Sequence, residues 1–227
     1  METILLKNIF KTYQDSTIKT AALTDISLNI EKGEFVVLAG PSGSGKTTLL
    51  NIIGTLDQPD SGEVYIDGHE VTKLPFNALA GLRLKKIGFV FQTYNLIDVL
   101  TALENVEYVM LLQGIDKKNR RERSIEILKT VGLDELIHRK TYQMSGGQRQ
   151  RVAVARAVVG EPQLILADEP TANLDSKTGG SLIELMESFC LYKKITFIIA
   201  SHDPMVIQKA KRLIILKDGK IQEDRFC

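Results

Sequence analysis

Apolar positions along the chain follow two different rules. In Ile4 to Phe10, and again in Leu23 to Ile30, apolar and polar side chains alternate, the pattern of strands with one buried face. Phe35-Val36-Val37-Leu38-Ala39, Leu164-Ile165-Leu166-Ala167 and Ile195 to Ala200 are instead unbroken apolar runs, which predict strands of a parallel sheet covered on both faces. Further strands are expected at Glu63 to Ile66 and at Ile87 to Gln92, and a helix around Phe76 to Lys86. From Thr93 to about Gly160 the period becomes helical, with Ile125, Ile127, Leu128 and Val131 on the apolar side until Gly132 breaks the pattern. Arg212 to Leu216, a turn at Lys217-Asp218-Gly219-Lys220 and Ile221-Gln222-Glu223 read as a closing hairpin, which leaves no expected room for a regulatory domain. The expected fold is α/β, a mainly parallel sheet with an antiparallel β layer. Residues 1–227 form one domain, with a core of about 1–92 and 161–227 and an inserted helical subdomain of about 93–160.

Composition narrows this only by exclusion. With 227 residues the chain can bury one sizeable core. Its 29 basic and 28 acidic side chains leave no bulk field that would gather nucleic acid. The basic run Lys117-Lys118-Asn119-Arg120-Arg121-Glu122-Arg123 has no interleaved aromatics and reads as a solvated helix start. Cys190 and Cys227 are too few for a disulfide framework, so a reducing, cytosolic setting is expected. Met1 to Lys7 lacks a basic stretch followed by a long apolar one, so no secretion leader is expected. No apolar run approaches the ~20 residues of a spanning helix.

The chemistry concentrates at Gly40-Pro41-Ser42-Gly43-Ser44-Gly45-Lys46-Thr47-Thr48, between an apolar strand and the helical Leu49-Leu50-Asn51-Ile52-Ile53. Strand, glycine-rich loop and helix in that order make G-x-x-x-x-G-K-[ST] a phosphate-binding loop, and the core a P-loop NTPase. The glycines let successive N–H groups face an anion, and the helix adds its positive end. Lys46 is expected on the β- and γ-phosphates of ATP and the Thr47 hydroxyl on Mg²⁺.

Several other stretches gain meaning beside that loop. Leu164 to Ala167 runs into Asp168-Glu169, where Asp168 fits a carboxylate supporting Mg²⁺ and Glu169 a base that polarises water. Ile195 to Ala200 runs into Ser201-His202, which places His202 where open α/β sheets hold ligands. Gln92 is a polar residue at an expected strand end. Tyr13, in the polar stretch Lys11-Thr12-Tyr13-Gln14-Asp15, offers a ring face on which adenine can stack. Ser145-Gly146-Gly147-Gln148 heads a helix and is a second anion-ready N-terminus. Two such helix starts suggest a site built from two surfaces.

P-loop, Gln92, Ser145-Gly146-Gly147-Gln148, Asp168-Glu169 and His202, in that order, resemble the ATP-binding cassette (ABC) ATPase family over nearly the full length. The resemblance implies a head-to-tail homodimer in which ATP on one P-loop is covered by Ser145, Gly146 and Gly147 of the other copy. It further implies that Tyr13 stacks on adenine, that Gln92 senses Mg²⁺ and the attacking water, and that His202 contacts the γ-phosphate. Asn173-Leu174-Asp175 is implied as the loop that crosses the dimer interface. Met144 stands where leucine is usual, a modest apolar exchange. Thr101-Ala102-Leu103-Glu104-Asn105-Val106 and Ala167 to Ser176 are similar to the lipoprotein-release and macrolide-efflux class, whose ATPase drives a separate integral-membrane chain from the cytoplasmic face; Ala172 replaces a frequent glycine of that class. Amino-acid importers share several of these words, and a cassette without a membrane partner, of the iron–sulfur assembly type, stays open at this point. DNA-repair and chromosome-organising relatives carry long coiled-coil or zinc-binding insertions that this chain lacks.

Overall fold

The computed structural model describes residues 2–15 and 18–227. In chain order, β1 (Glu2–Asp15), β2 (Ile18–Glu31) and β3 (Phe35–Ala39) lead into α1 (Lys46–Ile53). β4 (Ser61–Ile66), β5 (His69–Glu70), α2 (Phe76–Lys86) and β6 (Ile87–Val90) follow. The helical block comprises α3 (Ala102–Leu112), α4 (Lys117–Thr130) and α5 (Gly146–Val159), with two short 3-10 turns before α5. β7 (Leu164–Asp168), α6 (Ser176–Lys193), β8 (Thr196–Ala200), α7 (Pro204–Gln208), β9 (Arg212–Lys217) and β10 (Lys220–Phe226) complete the chain.

Two sheets result. β2-β1-β4-β5 is antiparallel, and β10-β9-β3-β8-β7-β6 is parallel except for β10, which folds back on β9. Side chains alternate across a strand, so each unbroken apolar run feeds two cores at once. Phe35, Val37, Phe197 and Ile199 pack towards α3, α5 and α6, whereas Val36, Leu38, Ile198 and Ala200 pack against α1 and the antiparallel sheet. The sheet is therefore covered on both faces, as its composition predicts. α5 lies close on β6, where a Cβ on Gly88 would stand 2.5 Å from the Ala157 carbonyl oxygen.

Several boundaries differ from the sequence reading. β1 does not stop near Phe10; after register shifts at Ile9 and Lys11 it continues, so Tyr13 pairs with Thr20 on a strand and not in a connecting stretch. β6 ends at Val90, two residues short of Gln92. Beyond it the backbone carbonyls turn away from the sheet: Phe91 O accepts from Gln150 Nε2 at 3.4 Å and Gln92 O from Asn173 Nδ2 at 2.9 Å. The helical period expected from Thr93 begins only at Ala102, where Thr101 and Glu104 form a capping box.

Candidate nucleotide-binding site

Three parallel strands, β3, β8 and β7, lie side by side in that order, so segments far apart in sequence meet at their carboxyl ends. β3 delivers Gly40 to Thr48, β8 delivers Ser201-His202, and β7 delivers Asp168-Glu169. Open parallel sheets bind ligands at such an edge.

The loop fits its surroundings only with glycine. A Cβ on Gly40 would stand 2.2 Å from the Leu216 carbonyl oxygen. At Gly45 φ is +102° and a Cβ would meet Ala22 O at 2.6 Å, so substitution there is strained as well as crowded. Lys46 is buried, and its ammonium donates to the carbonyls of Gly40 at 2.7 Å and Pro41 at 3.0 Å, which closes the loop on itself. Ser44 Oγ is buried with no hydrogen-bond partner. An unpaired buried hydroxyl in a glycine-rich loop of this kind is one that a phosphate oxygen satisfies.

Thr47 Oγ1 donates to Asp168, 3.0 Å from Oδ2 and 3.3 Å from Oδ1. Burial pushes the Asp168 carboxyl above its ordinary range; the Thr47 bond opposes this, Glu169 repulsion adds to it, and Lys46 opposes it. A hydroxyl and a carboxylate side by side are hard oxygen donors, and Mg²⁺ commonly takes one or two protein ligands plus phosphate oxygens and water. The donor set fits that ion. Glu169, at φ +47°, has its carboxylate held from two sides, by Ser201 Oγ at 3.3 Å and by His202 Nδ1 at 2.7 Å. A carboxylate only accepts, so His202 donates from Nδ1.

Tyr13 completes the hollow on the far side. Its hydroxyl donates to Asp57 Oδ2 at 2.7 Å, and Lys11 Nζ meets Asp57 Oδ1 at 2.8 Å. Burial and the Asp57 acceptor push the Tyr13 phenol up. Burial would also raise Asp57, but the bonds from Lys11, Tyr13 and the Gln58 backbone outweigh it and hold the carboxyl below its usual range. Tyr13, the loop from Pro41 to Thr48, Gln92, Asp168, Glu169 and His202 together line one space of about 530 Å³.

Ser145, Gly147 and Gln148 line a different hollow, together with Arg151, Lys177 and Thr178. Ser145 caps α5 and forms a capping box with Gln148. Asp175 faces neither hollow as a lining residue; it caps α6, accepting from the Thr178 backbone at 3.0 Å and the Thr178 hydroxyl at 2.6 Å. The sequence pattern gives no sign of these contacts of Ser201 and Asn173, and it singles out neither Asp57 nor Gln150. Arg156, which nothing in its sequence surroundings singles out, donates to the carbonyls of Tyr94 and Asn95 at 3.0 and 2.6 Å.

Residues 23–172 match the family model for ABC transporters. The chain belongs to the ABC transporter family. Within it, this ABC chain is an ATP-binding cassette and an ATPase. It is 47% identical over 225 residues to an uncharacterised ABC transporter ATP-binding protein of Methanocaldococcus jannaschii, MJ0796, covering 97% of this chain and 96% of that one. A solved dimer of the MJ0796 cassette, described as a post-hydrolysis state bound to ADP and Pi, superposes with a TM-score of 0.91 at 45% identity, covering 98% of both chains. The macrolide export ATP-binding/permease protein MacB of Campylobacter jejuni is 46% identical over 221 residues, which is 97% of this chain but 34% of that protein.

Proposed function

We propose that the chain is the ATPase subunit of an export-type or lipoprotein-release transporter, working as a head-to-tail homodimer on the cytoplasmic face of the inner membrane beneath a separate transmembrane chain. The observation that carries this is the division of the site: the phosphate loop, acid pair and histidine share one hollow, while Ser145 and Gly147 sit on another surface of the same chain. A second copy brings the two halves together, and the dimeric cassettes among the relatives support that arrangement. Among the described residues no helix is long and apolar enough to cross a membrane. A groove of about 400 Å³ beside the Gln92 loop, lined by Leu56, Phe89, Phe91, Tyr108 and Leu112, suits an apolar segment of the membrane chain. In MacB an ATP-binding part and a permease share one name and one chain, which supports a partner of that kind.

On this reading Tyr13 holds the base, Lys46 and the loop N–H groups hold the β- and γ-phosphates, and Thr47, Asp168 and Gln92 would hold Mg²⁺, which would neutralise phosphate charge. Glu169 accepts the proton of the attacking water at a carboxylate oxygen. The Nδ1–H bond fixes His202 with Nε2 towards the phosphates; an imidazole that also donates there does so as an imidazolium. Catalysis is mostly positioning and charge neutralisation. Closure follows because ATP binds the joined form better than the separate one.

Glu169→Gln is expected to lower turnover by about 10²-fold or more and to accumulate an ATP-bound dimer in size-exclusion chromatography; a monomer with normal turnover refutes the assignment. Ser145→Arg is expected to spare ATP binding by one chain and abolish hydrolysis, and an unaffected rate refutes the shared site. Affinity capture from detergent-solubilised membranes is expected to retain an integral-membrane protein through the groove, and a Leu112→Asp variant to lose it.

A further inference from the structure

The contacts of Tyr13 carry more than a stacking surface. Its ring is 44% exposed, and an exposed ring on a strand end would normally sample several orientations. Here the hydroxyl is tied to Asp57 Oδ2 at 2.7 Å, and the ammonium of Lys11 stands 5.2 Å from the ring centroid. Lys11 is itself immobilised, bonded to Asp57 Oδ1 at 2.8 Å and to the Gln58 carbonyl at 2.7 Å. Asp57 is in turn fixed to the phosphate-binding helix: the backbone N–H groups of Leu56 and Asp57 both donate to the Asn51 carbonyl of α1, at 2.8 and 3.2 Å. A second tie joins the same two segments, since the Thr12 N–H donates to Asp60 Oδ2 at 2.7 Å.

We propose that Asp57 is a positioning residue for the nucleotide base: by latching the Tyr13 hydroxyl to the far end of the helix that begins at Lys46, it sets the distance and tilt between base platform and phosphate loop before ATP arrives. The proposal rests on the reading that Tyr13 stacks on the base. The two groups that must span one nucleotide lie on different sheets, β1 and the end of β3, which meet where Gly45 packs on the Ala22 carbonyl of β2. That contact does not hold the Tyr13 ring, and Asp57 does so with one carboxylate, dividing its oxygens between the phenol and the lysine. Order in the free protein is order that binding does not have to impose. Losing the latch therefore weakens only ligands that carry a base.

The test compares ATP with inorganic tripolyphosphate, which fills the phosphate loop and has no base, in the full chain by steady-state kinetics. Tyr13→Phe and Asp57→Ala are each expected to raise the KM for ATP by roughly two- to ten-fold, the range that freezing one side chain commands. For Asp57→Ala, turnover at saturation stays within about two-fold, and for both variants the tripolyphosphate inhibition constant stays unchanged. The double variant is expected to be no worse than Asp57→Ala alone, because the Tyr13–Asp57 bond that Tyr13→Phe removes is already gone there. Additive effects, a parallel loss of tripolyphosphate binding, or a Tyr13→Phe variant with wild-type KM beside a weakened Tyr13→Ala overturn the latch. A Tyr13→Ala variant with wild-type KM overturns instead the stacking role beneath it. Should Asp57→Ala fail to fold, Tyr13→Phe carries the test alone.

Discussion

Glu169 occupies the left-handed region at φ +47°, a conformation that costs a non-glycine residue about 1–3 kcal/mol. Its amide donates to Ala200 O at 2.9 Å, and its carboxylate is pinned by Ser201 and His202, so the strain is held by the neighbouring strand end. Ser201→Ala is therefore expected to lower turnover by about ten- to a hundred-fold, the ~1.5–3 kcal/mol worth of one hydrogen bond to a charged group, with KM for ATP unchanged in the same assay. Asp57 makes a pH-dependent contribution with a definite sign. Its folded carboxyl titrates below the ordinary value of 3.8, so the stability it adds is whole at neutral pH and is lost as pH falls through the folded value. The urea midpoints of wild type and Asp57→Ala are expected to differ at about pH 7 and to converge in acid. Lys46, Thr47 and Asp168 were legible in the sequence because each residue type sits in a local frame that names its chemistry. Ser201 and Asp57 were not, since each takes its role from a partner distant in sequence, Glu169 at 32 positions and Tyr13 at 44.

At the level of elements, helix starts do double duty. Ser145 closes a capping box on α5 and Asp175 caps α6, so substitutions there test structure as well as nucleotide contact. Asp175→Ala is expected to lower the thermal unfolding midpoint measured without nucleotide, because the Thr178 N–H loses its cap, whatever it does to the dimer. The parallel strands and α2 were readable because unbroken apolar runs and a helical period persist over enough residues to be distinct. The reach of β1 past Phe10 was hidden: beyond the core its side chains are polar, and partners distant in the pattern, the strand pairing with Ala21 and Thr20 and the bond from Thr12 N–H to Asp60, keep it extended. The early end of β6 was hidden for the opposite reason, because Phe91 continues the apolar pattern while its carbonyl is taken by a side chain of α5.

For the whole molecule, the six-stranded sheet divides the interior into two cores that share its strands. Phe197, fully buried and 5.9 Å from the Phe35 ring, fills one of them. Phe197→Ala is expected to cost about 3–5 kcal/mol in urea unfolding, with little change in KM among the molecules that remain folded. The proposed split site starts from two anion-ready helix starts in the sequence, and the fold adds that they lie on separate surfaces of the chain. The segment after β6 has a different consequence. Phe91, Gln92, Tyr94 and Asn95 lend their carbonyls to Gln150, Asn173 and Arg156 in place of a strand partner. The same stretch also closes on itself, Tyr94 N–H donating to Phe91 O at 3.2 Å and Asn95 N–H to Thr93 O at 2.7 Å, so Gln92 sits in a small turn clamped on one side by α5, through Gln150 and Arg156, and on the other by Asn173 just ahead of α6: two helices bear on one residue.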